Sequence, residues 1–179
     1  MTSTVTCRVD ADRVAEQVAA GLTQLLEAEY WKFPGDDVLA TARSVEHLGR
    51  LTYAVQIAVA GEIDLARLAQ THGQTSTAVL LRNVLNISPG DARGRVKAAA
   101  QVLPQDAISG GEIPPQLPEL GSALGAGQLG AEQTAIVVKT MSKIPTDITV
   151  DVREDAEHAL VDHARVMDPP TWTRWRPDC

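Results

Sequence analysis

Apolar residues recur every three or four positions through nearly the whole chain, and no segment sustains the alternation of a half-buried strand. That spacing places apolar side chains along one face of an α-helix. Aromatic residues make up only 3% of the sequence, so a core must be built from Ala, Val, Leu and Ile. Such cores suit close helix packing better than sheets, which favour β-branched and aromatic residues. The sequence therefore predicts an all-α fold of about seven or eight helices, with short turns and one Pro/Gly-rich loop from Pro104 to Pro118.

Helix-end signals locate several of the predicted helices. Asp10 opens the first helix, Asp36 is the predicted N-cap of the second, and Gly61 is its predicted left-handed end. Ser76 is the predicted N-cap of a later helix. The residues predicted to face inward are Val14, Val18, Leu22 and Leu25 in the first helix, Leu48, Leu51, Val55 and Ala58 in the second, Leu81, Val84 and Leu85 after Ser76, and Val152, Ala156, Ala159, His163 and Val166 in the last helix.

The chain of 179 residues is long enough for one domain and a small appendage. The break at "FPGDD" separates residues 1–35, an N-terminal helix and linker, from a helical domain over residues 36–168. Residues 169–179 are predicted to be a truncated or aberrant tail, in which Trp172 and Trp175 crowd the end of an aromatic-poor protein.

Charge and cysteine usage narrow the classes of partner and compartment. The formal net charge is -7, so the chain is not drawn as a whole onto nucleic acid or an anionic membrane, and any DNA contact needs a local basic patch. Cys7 and Cys179 form no CxxC and no spaced metal set. No secretory segment follows Met1, and no apolar run is long enough to span a bilayer. A cytoplasmic protein without membrane contact is expected.

The stretch "LNISPGDARGRVKAAAQVL", Leu85 to Leu103, has the pattern of a turn leading into a helix. Ser88 is the predicted N-cap of this helix, with its hydroxyl accepting a hydrogen bond from the Asp91 amide, and Pro89 suits the first helical position. Asn86 is able to take the left-handed conformation that ends the preceding helix. Two helices joined by a turn of about three residues have the geometry of a helix-turn-helix.

Two interpretations of this second helix stay open. In one, Arg93, Arg95 and Lys97 contact phosphates or base edges of DNA. In the other, they lie in water and Arg95 pairs with Asp91 one turn earlier. Arg82 and Arg95 depart from the motif, because they occupy positions where a small and an apolar residue are usual. The inward stripe is predicted to be Ala92, Val96, Ala99 and Leu103.

A search for chemistry finds no catalytic, cofactor-binding or metal-binding set. His158 and His163 are five residues apart and lie on different helix faces, so His158 is predicted to pair with Glu154 and His163 to be a hydrogen-bonded core residue. "GAGQLG" fits GxGxxG, but the dinucleotide fingerprint needs a preceding strand. Gly127 and Gly130 are instead predicted to form a turn between helices.

Three motifs in order resemble the 13E12 repeat family, domain-of-unknown-function family 222. They are "EIDLARLAQTHGQTSTAVLLRNVLNISPGDARGRVKAAAQVLP", "LPELGSALGAGQLGAEQTAIVVKTMSKIP" and "VREDAEHALVDHARVMDPPTWTR". The resemblance covers roughly Val38 to Arg174. It implies an all-α domain that precedes a C-terminal HNH endonuclease domain, in which a His acts as general base beside a divalent metal.

This chain departs from the family pattern by stopping at Cys179, before an HNH segment would begin. We therefore expect a non-enzyme: the N-terminal domain of an HNH-endonuclease-type protein, serving as an accessory DNA- or partner-binding module. The alternatives are a helix-turn-helix regulator using Arg93, Arg95 and Lys97, and an inactive truncated remnant. Missing C-terminal helices would leave the last apolar stripe uncovered and favour self-association.

Overall fold

The computed structural model describes residues 8–106, 111–145 and 148–166, and the fold is all-α as predicted. The two strands are only two residues long and pair antiparallel, Gln105 with Ile113 and Asp106 with Glu112, inside the predicted Pro/Gly-rich loop. The elements are α1 (Arg8–Leu26), a 3₁₀ turn (Tyr30–Lys32), α2 (Gly35–Leu65), α3 (Leu68–Thr71), α4 (Thr77–Leu85), α5 (Pro89–Val102), β1 (Gln105–Asp106), β2 (Glu112–Ile113), α6 (Pro118–Gly125), α7 (Ala131–Met141) and α8 (Val150–Val166).

The chain divides into two units at the bond between Arg43 and Ser44, inside α2. In the first unit, the predicted α1 stripe of Val14, Val18 and Leu22 is exposed. The Tyr30 hydroxyl donates to the carbonyl oxygen of Leu25 at 2.6 Å. The predicted tail at residues 169–179 lies outside the described residues.

The core of the second unit is formed by one side of α2 and by helices α5 to α8. It is aliphatic, as the composition predicts, and a smaller cluster of Ala60, Leu81 and Ala92 joins α2, α4 and α5. Among the described residues, every helix falls short of the length and apolarity needed to cross a bilayer. The main core cluster contains Ile57, Ala98, Ala99, Val102, Leu117, Leu120, Ala123, Leu124, Leu129, Val137, Val138, Met141, Val161 and Ala164.

The predicted end of α2 at Gly61 is wrong. The helix continues to Leu65, and the left-handed residue that follows it is Arg67, with φ of 53°. A Cβ atom on Gly61 would lie 2.4 Å from Leu103 Cδ1 and 3.3 Å from Ala99 Cβ. Glycine is therefore used here for close approach between α2 and α5. Asp36 is the second residue of α2 and not its N-cap, because the helix already begins at Gly35.

Several predicted inward faces are also wrong. On α2, Ile57 and Ala60 are buried, whereas Val55 is 61% exposed and Leu48 is exposed. This helix is apolar on more than one side, so periodicity alone does not select the buried side. The other predicted inward residues that are exposed are Ala58 on α2, Val84 and Leu85 on α4, and Val152, Ala159, His163 and Val166 on α8.

Candidate nucleic-acid interface

The predicted helix-turn-helix geometry is present between α4 and α5. The Ser76 Oγ accepts a hydrogen bond from the Val79 amide at 3.3 Å and caps α4. Asn86 ends α4 in the left-handed conformation, with φ of 52° and ψ of 43°. The Ser88 Oγ accepts from the Asp91 amide at 3.0 Å, and Pro89 occupies the first turn of α5. Both helix ends are thus stabilised by the residues that the sequence singled out.

Helix α5 belongs to the core as much as to the surface. Ala92 and Ala99 are buried as predicted, together with Ala98 and Val102. Residues 96 and 103 are partly buried. The exposed remainder is a narrow stripe that contains Arg93, Lys97 and Ala100. A helix held on one side in this way presents a single row of side chains to a ligand, one turn apart.

The three predicted DNA-binding residues separate into two kinds. The Arg95 guanidinium donates to both carboxylate oxygens of Asp91, at 2.8 Å each, and its side chain is only 11% exposed. Tyr53 lies in the same environment, and its pKa is raised mainly by burial and further by Asp91, while Arg95 lowers it. Arg93 and Lys97 are exposed and make no ion pair with any other described residue. The Arg95 side chain is therefore held inside the protein by Asp91, whereas the Arg93 and Lys97 side chains are able to contact a ligand.

Arg82 also has a local partner. Its guanidinium donates to the Asn83 side-chain oxygen at 3.1 and 3.0 Å, and Asn83 in turn donates to Gln74 at 3.0 Å. The arginine that departs from the usual motif is therefore paired within α4, and its partner Asn83 links α4 to the preceding loop.

The histidines are not placed as predicted. His158 pairs with Glu119 of α6, with Nδ1 at 2.9 Å from Oε1, rather than with Glu154. Its Nε2 lies 3.4 Å from Asp162. His163 is exposed rather than part of the core, because the buried side of α8 runs through Val161 and Ala164 instead. The sequence therefore predicted helix α8 correctly, but it predicted the wrong face of that helix to be buried.

Glu119, His158 and Asp162 offer ligand atoms that lie within 4.8 Å of one another. Arg165 also enters this group, since its Nη1 lies 3.7 Å from Glu119 and pairs with Asp162. Because Arg165 places a positive charge beside both carboxylates, the group forms an ion-pair network between α6 and α8. It adds nothing to the chemistry of the α4–α5 surface.

The sequence search missed one important polar residue, Glu157. Its carboxylate is buried in the interior, and Oε1 accepts the Leu120 amide at 2.9 Å. Burial raises the pKa of Glu157, while hydrogen bonds from the amides of Leu120 and Glu119 oppose the rise. The sequence carries no clear signal for it, because the face of α8 that contains Glu157 and Val161 is not the face that the periodicity placed inward.

Comparison with known proteins identifies the relatives of this fold. Residues 39–175 match the family described as "Domain of unknown function (DUF222)". Two uncharacterized proteins of Mycobacterium tuberculosis, from strains CDC 1551 / Oshkosh and ATCC 25618 / H37Rv, are each 32% identical over 76 residues, 42% of this chain. The matched segment spans only 17% of the length of either relative. No solved structure matches the chain significantly. Because the family match covers most of the sequence, the protein belongs to the DUF222 family, which is the 13E12 repeat family.

Proposed function

We propose that this helical domain is a non-catalytic accessory module of an HNH-endonuclease-type protein, and that it contacts DNA phosphates through Arg93 and Lys97. One observation carries the DNA contact. These two cations are one turn apart on the second helix of a capped helix-turn-helix, exposed, and without an ion-pair partner among the described residues. The nuclease context rests on the sequence resemblance, and the much greater length of the Mycobacterium relatives is compatible with it.

The geometry favours phosphate contact over base recognition. Arg95, the third predicted base-reading residue, is held by Asp91 and is withdrawn from the surface. Two side chains from one narrow stripe provide two charge contacts, and phosphate contacts position a protein without selecting a sequence. The net charge of -7 further limits the affinity. The module would therefore hold DNA weakly near a catalytic domain.

Salt dependence tests the proposal quantitatively. Neutralising two phosphates predicts a slope of about −1.8 for the logarithm of the association constant against the logarithm of salt concentration. The double variant Arg93→Ala with Lys97→Ala should bring this slope close to zero. The measurement is fluorescence anisotropy of a labelled DNA duplex, titrated with the protein at several salt concentrations.

Two control variants separate a local site from general charge. Lys139→Ala with Lys143→Ala removes two exposed cations elsewhere and should leave the slope unchanged. Arg95→Ala should lower stability by breaking the pair with Asp91, and should also leave the slope unchanged. Equal losses in both double variants, or no salt-dependent binding by the wild type, would show that Arg93 and Lys97 form no DNA site.

Two further experiments with the same protein test whether it is a sequence-specific regulator or a nuclease. Selection from a random duplex library should enrich no single sequence if only phosphates are contacted, whereas a strong consensus would favour a helix-turn-helix regulator. Metal-dependent cleavage of DNA by this chain alone would contradict the non-catalytic assignment.

A further inference from the structure

A cavity of about 590 Å³ opens on the second unit between α2, α5 and the β1–β2 pair. Its apolar lining comes from small and aliphatic side chains of the two helices. Cavities of this volume fall within the range of protein ligand sites. The apolar lining residues are Ala58, Gly61, Leu65, Val96, Ala99, Ala100, Leu103 and Pro104.

Glycine and alanine produce the groove by letting two helices meet closely at one end only. At Gly61 the backbone of α2 lies so near α5 that a Cβ atom would overlap Leu103 Cδ1. Ala58 and Ala100, on the two walls, are exposed and leave the space beside this contact unfilled. The groove is therefore a consequence of small side chains on rigid helices, and it exists without a rearrangement of the backbone.

The charged residues that line the groove are all acidic. The carboxylates of Glu62, Asp64 and Glu112 line it, and no Lys, Arg or His is among the described lining residues. Asp64 is fixed in place, because its Oδ1 accepts a hydrogen bond from the Thr77 hydroxyl. Gln105, the remaining polar lining residue, donates its amide to the Ala100 carbonyl oxygen. The groove thus offers acceptors for cationic groups and repels phosphates.

The apolar surface extends beyond the cavity along α2. Val55 and Val59 are exposed, and each is one helical turn from a lining residue, Ala58 or Glu62. A small molecule in the cavity would leave these valines in water. A helix lying along the groove would cover them with the same apolar face that enters the cavity. The extent of the apolar surface therefore favours a polypeptide.

We propose that this groove binds an amphipathic helix of a partner protein, whose apolar face is flanked by Lys or Arg residues that meet Glu62, Asp64 and Glu112. The site borders the exposed stripe of α5 at Ala100 and uses neither Arg93 nor Lys97, so it does not depend on the DNA contact. Apolar burial supplies affinity, and the carboxylates select a basic segment over an acidic one. The domain would then carry two surfaces of opposite charge preference.

The test uses a synthetic helical peptide of about 14 residues, roughly four turns, made of Leu and Lys, and the same peptide with Glu in place of Lys. Binding of each labelled peptide to the full chain is followed by fluorescence anisotropy in about 150 mM salt, which screens distant charges. The Lys peptide should bind and the Glu peptide should not. Glu62→Lys with Glu112→Lys should weaken the Lys peptide by about tenfold or more, roughly 1.4 kcal/mol.

Two further variants separate the groove from general attraction. Glu132→Lys with Glu154→Lys makes the same change in net charge at exposed positions on α7 and α8, and should alter the affinity by less than about twofold. Ala100→Trp fills the groove from an exposed helix position and should weaken binding without a change of charge. Circular dichroism confirms that each variant is folded.

Several outcomes would overturn the proposal. Equal weakening by the groove and control charge variants would mean that the peptide senses net charge alone. The variants Val55→Ser and Val59→Ser test whether the exposed valines contribute to peptide binding. If both bound the Lys peptide as tightly as the wild type, and spermidine at low concentration displaced the peptide fully, the cavity would be assigned to a small polyamine. Concentration-dependent dimers that Ala100→Trp abolishes, seen by analytical ultracentrifugation, would assign it to a second copy of the chain. Absence of binding by the Lys peptide would also contradict the proposal.

Discussion

The N-terminus of α6 depends on one residue from another helix. Leu117, at its N-cap position, offers no side-chain hydrogen bond, and Pro118 follows it. The buried carboxylate of Glu157, from α8, accepts the Leu120 amide in place of a local cap. A carboxylate at this position also interacts favourably with the positive end of the helix dipole. Glu157 therefore links the N-terminus of α6 to the buried face of α8.

Replacing Glu157 by Ala should destabilise the protein by about 1–3 kcal/mol, because it leaves a buried amide without an acceptor. Glu154→Ala, at an exposed position one turn earlier, should change stability by less than about 0.5 kcal/mol. Urea unfolding followed by circular dichroism measures both. Similar values for the two variants would show that Glu157 does not support α6.

The same residue predicts a pH dependence. Burial raises the pKa of Glu157 above its ordinary value of 4.5, so the folded protein holds this proton more tightly than the unfolded chain does. Its stabilising contribution is therefore complete below pH 4.5 and is lost as the pH rises through the folded pKa. The variant Glu157→Gln cannot ionise there. Between about pH 4 and about pH 7, wild-type unfolding free energy should fall relative to that of Glu157→Gln. A constant difference across urea titrations in this range would contradict the prediction.

At the scale of elements, the caps of the α4–α5 turn are encoded locally, whereas the end of α2 and the buried helix faces are not. The turn between α4 and α5 follows from Asn86 and Ser88, whose roles depend on neighbours within four residues. The buried side of α2 depends instead on which helices pack against it. Because α2 carries apolar residues on more than one side, its sequence is compatible with several rotations.

The cap at α5 should respond to a single substitution. Ser88→Ala removes the acceptor for the Asp91 amide and should cost about 1 kcal/mol, whereas Ser88→Asp keeps an acceptor and should stay near the wild-type stability. Thermal and urea unfolding provide the comparison. If the alanine and aspartate variants were equally stable, the capping bond would contribute nothing.

The rotation of α2 is tested by two truncations two residues apart. Ile57 is 1% exposed within the core, so Ile57→Ala should destabilise the protein by about 2–5 kcal/mol. Val55, which the periodicity had placed inside, is mostly exposed, so Val55→Ala should change stability by less than about 0.5 kcal/mol. If urea unfolding showed a larger loss of stability for Val55→Ala than for Ile57→Ala, the helix rotation inferred from the sequence would be supported instead.

At the scale of the whole molecule, the sequence predicted the all-α class, the family and the α4–α5 turn. It also gave the pair of Arg95 with Asp91 as one of two interpretations of α5, because the two residues lie one helical turn apart. It did not predict that this pair would lie beside Tyr53, which belongs to a different helix. The role of Glu157 likewise exists only after α6 and α8 have met. Properties that depend on distant segments were missed, and so were both ends of α2, while the local caps at Ser76, Asn86 and Ser88 were found.

One such distant connection joins α2 to the turn between α6 and α7. His47 Nδ1 donates to the Gly127 carbonyl oxygen at 3.2 Å, across 80 positions of sequence, and Arg50 donates to the Gln128 carbonyl oxygen at 2.7 Å. Gly127 has a φ of +64°, as expected for the predicted turn between helices. A Cβ atom there would lie 2.5 Å from His47 Cε1.

Gly127→Ala should therefore destabilise the protein by about 1–3 kcal/mol from the backbone conformation alone, and the displacement of His47 should add to this loss. Gly125→Ala is the matched control, since a Cβ atom at Gly125 meets nothing within 4 Å and the residue ends α6. That variant should be as stable as the wild type or more stable by up to about 1 kcal/mol, because alanine favours the helix. Urea unfolding of the two variants decides between them. Equal stability would mean that the α6–α7 turn does not require glycine, and that its contact with α2 is dispensable for the fold.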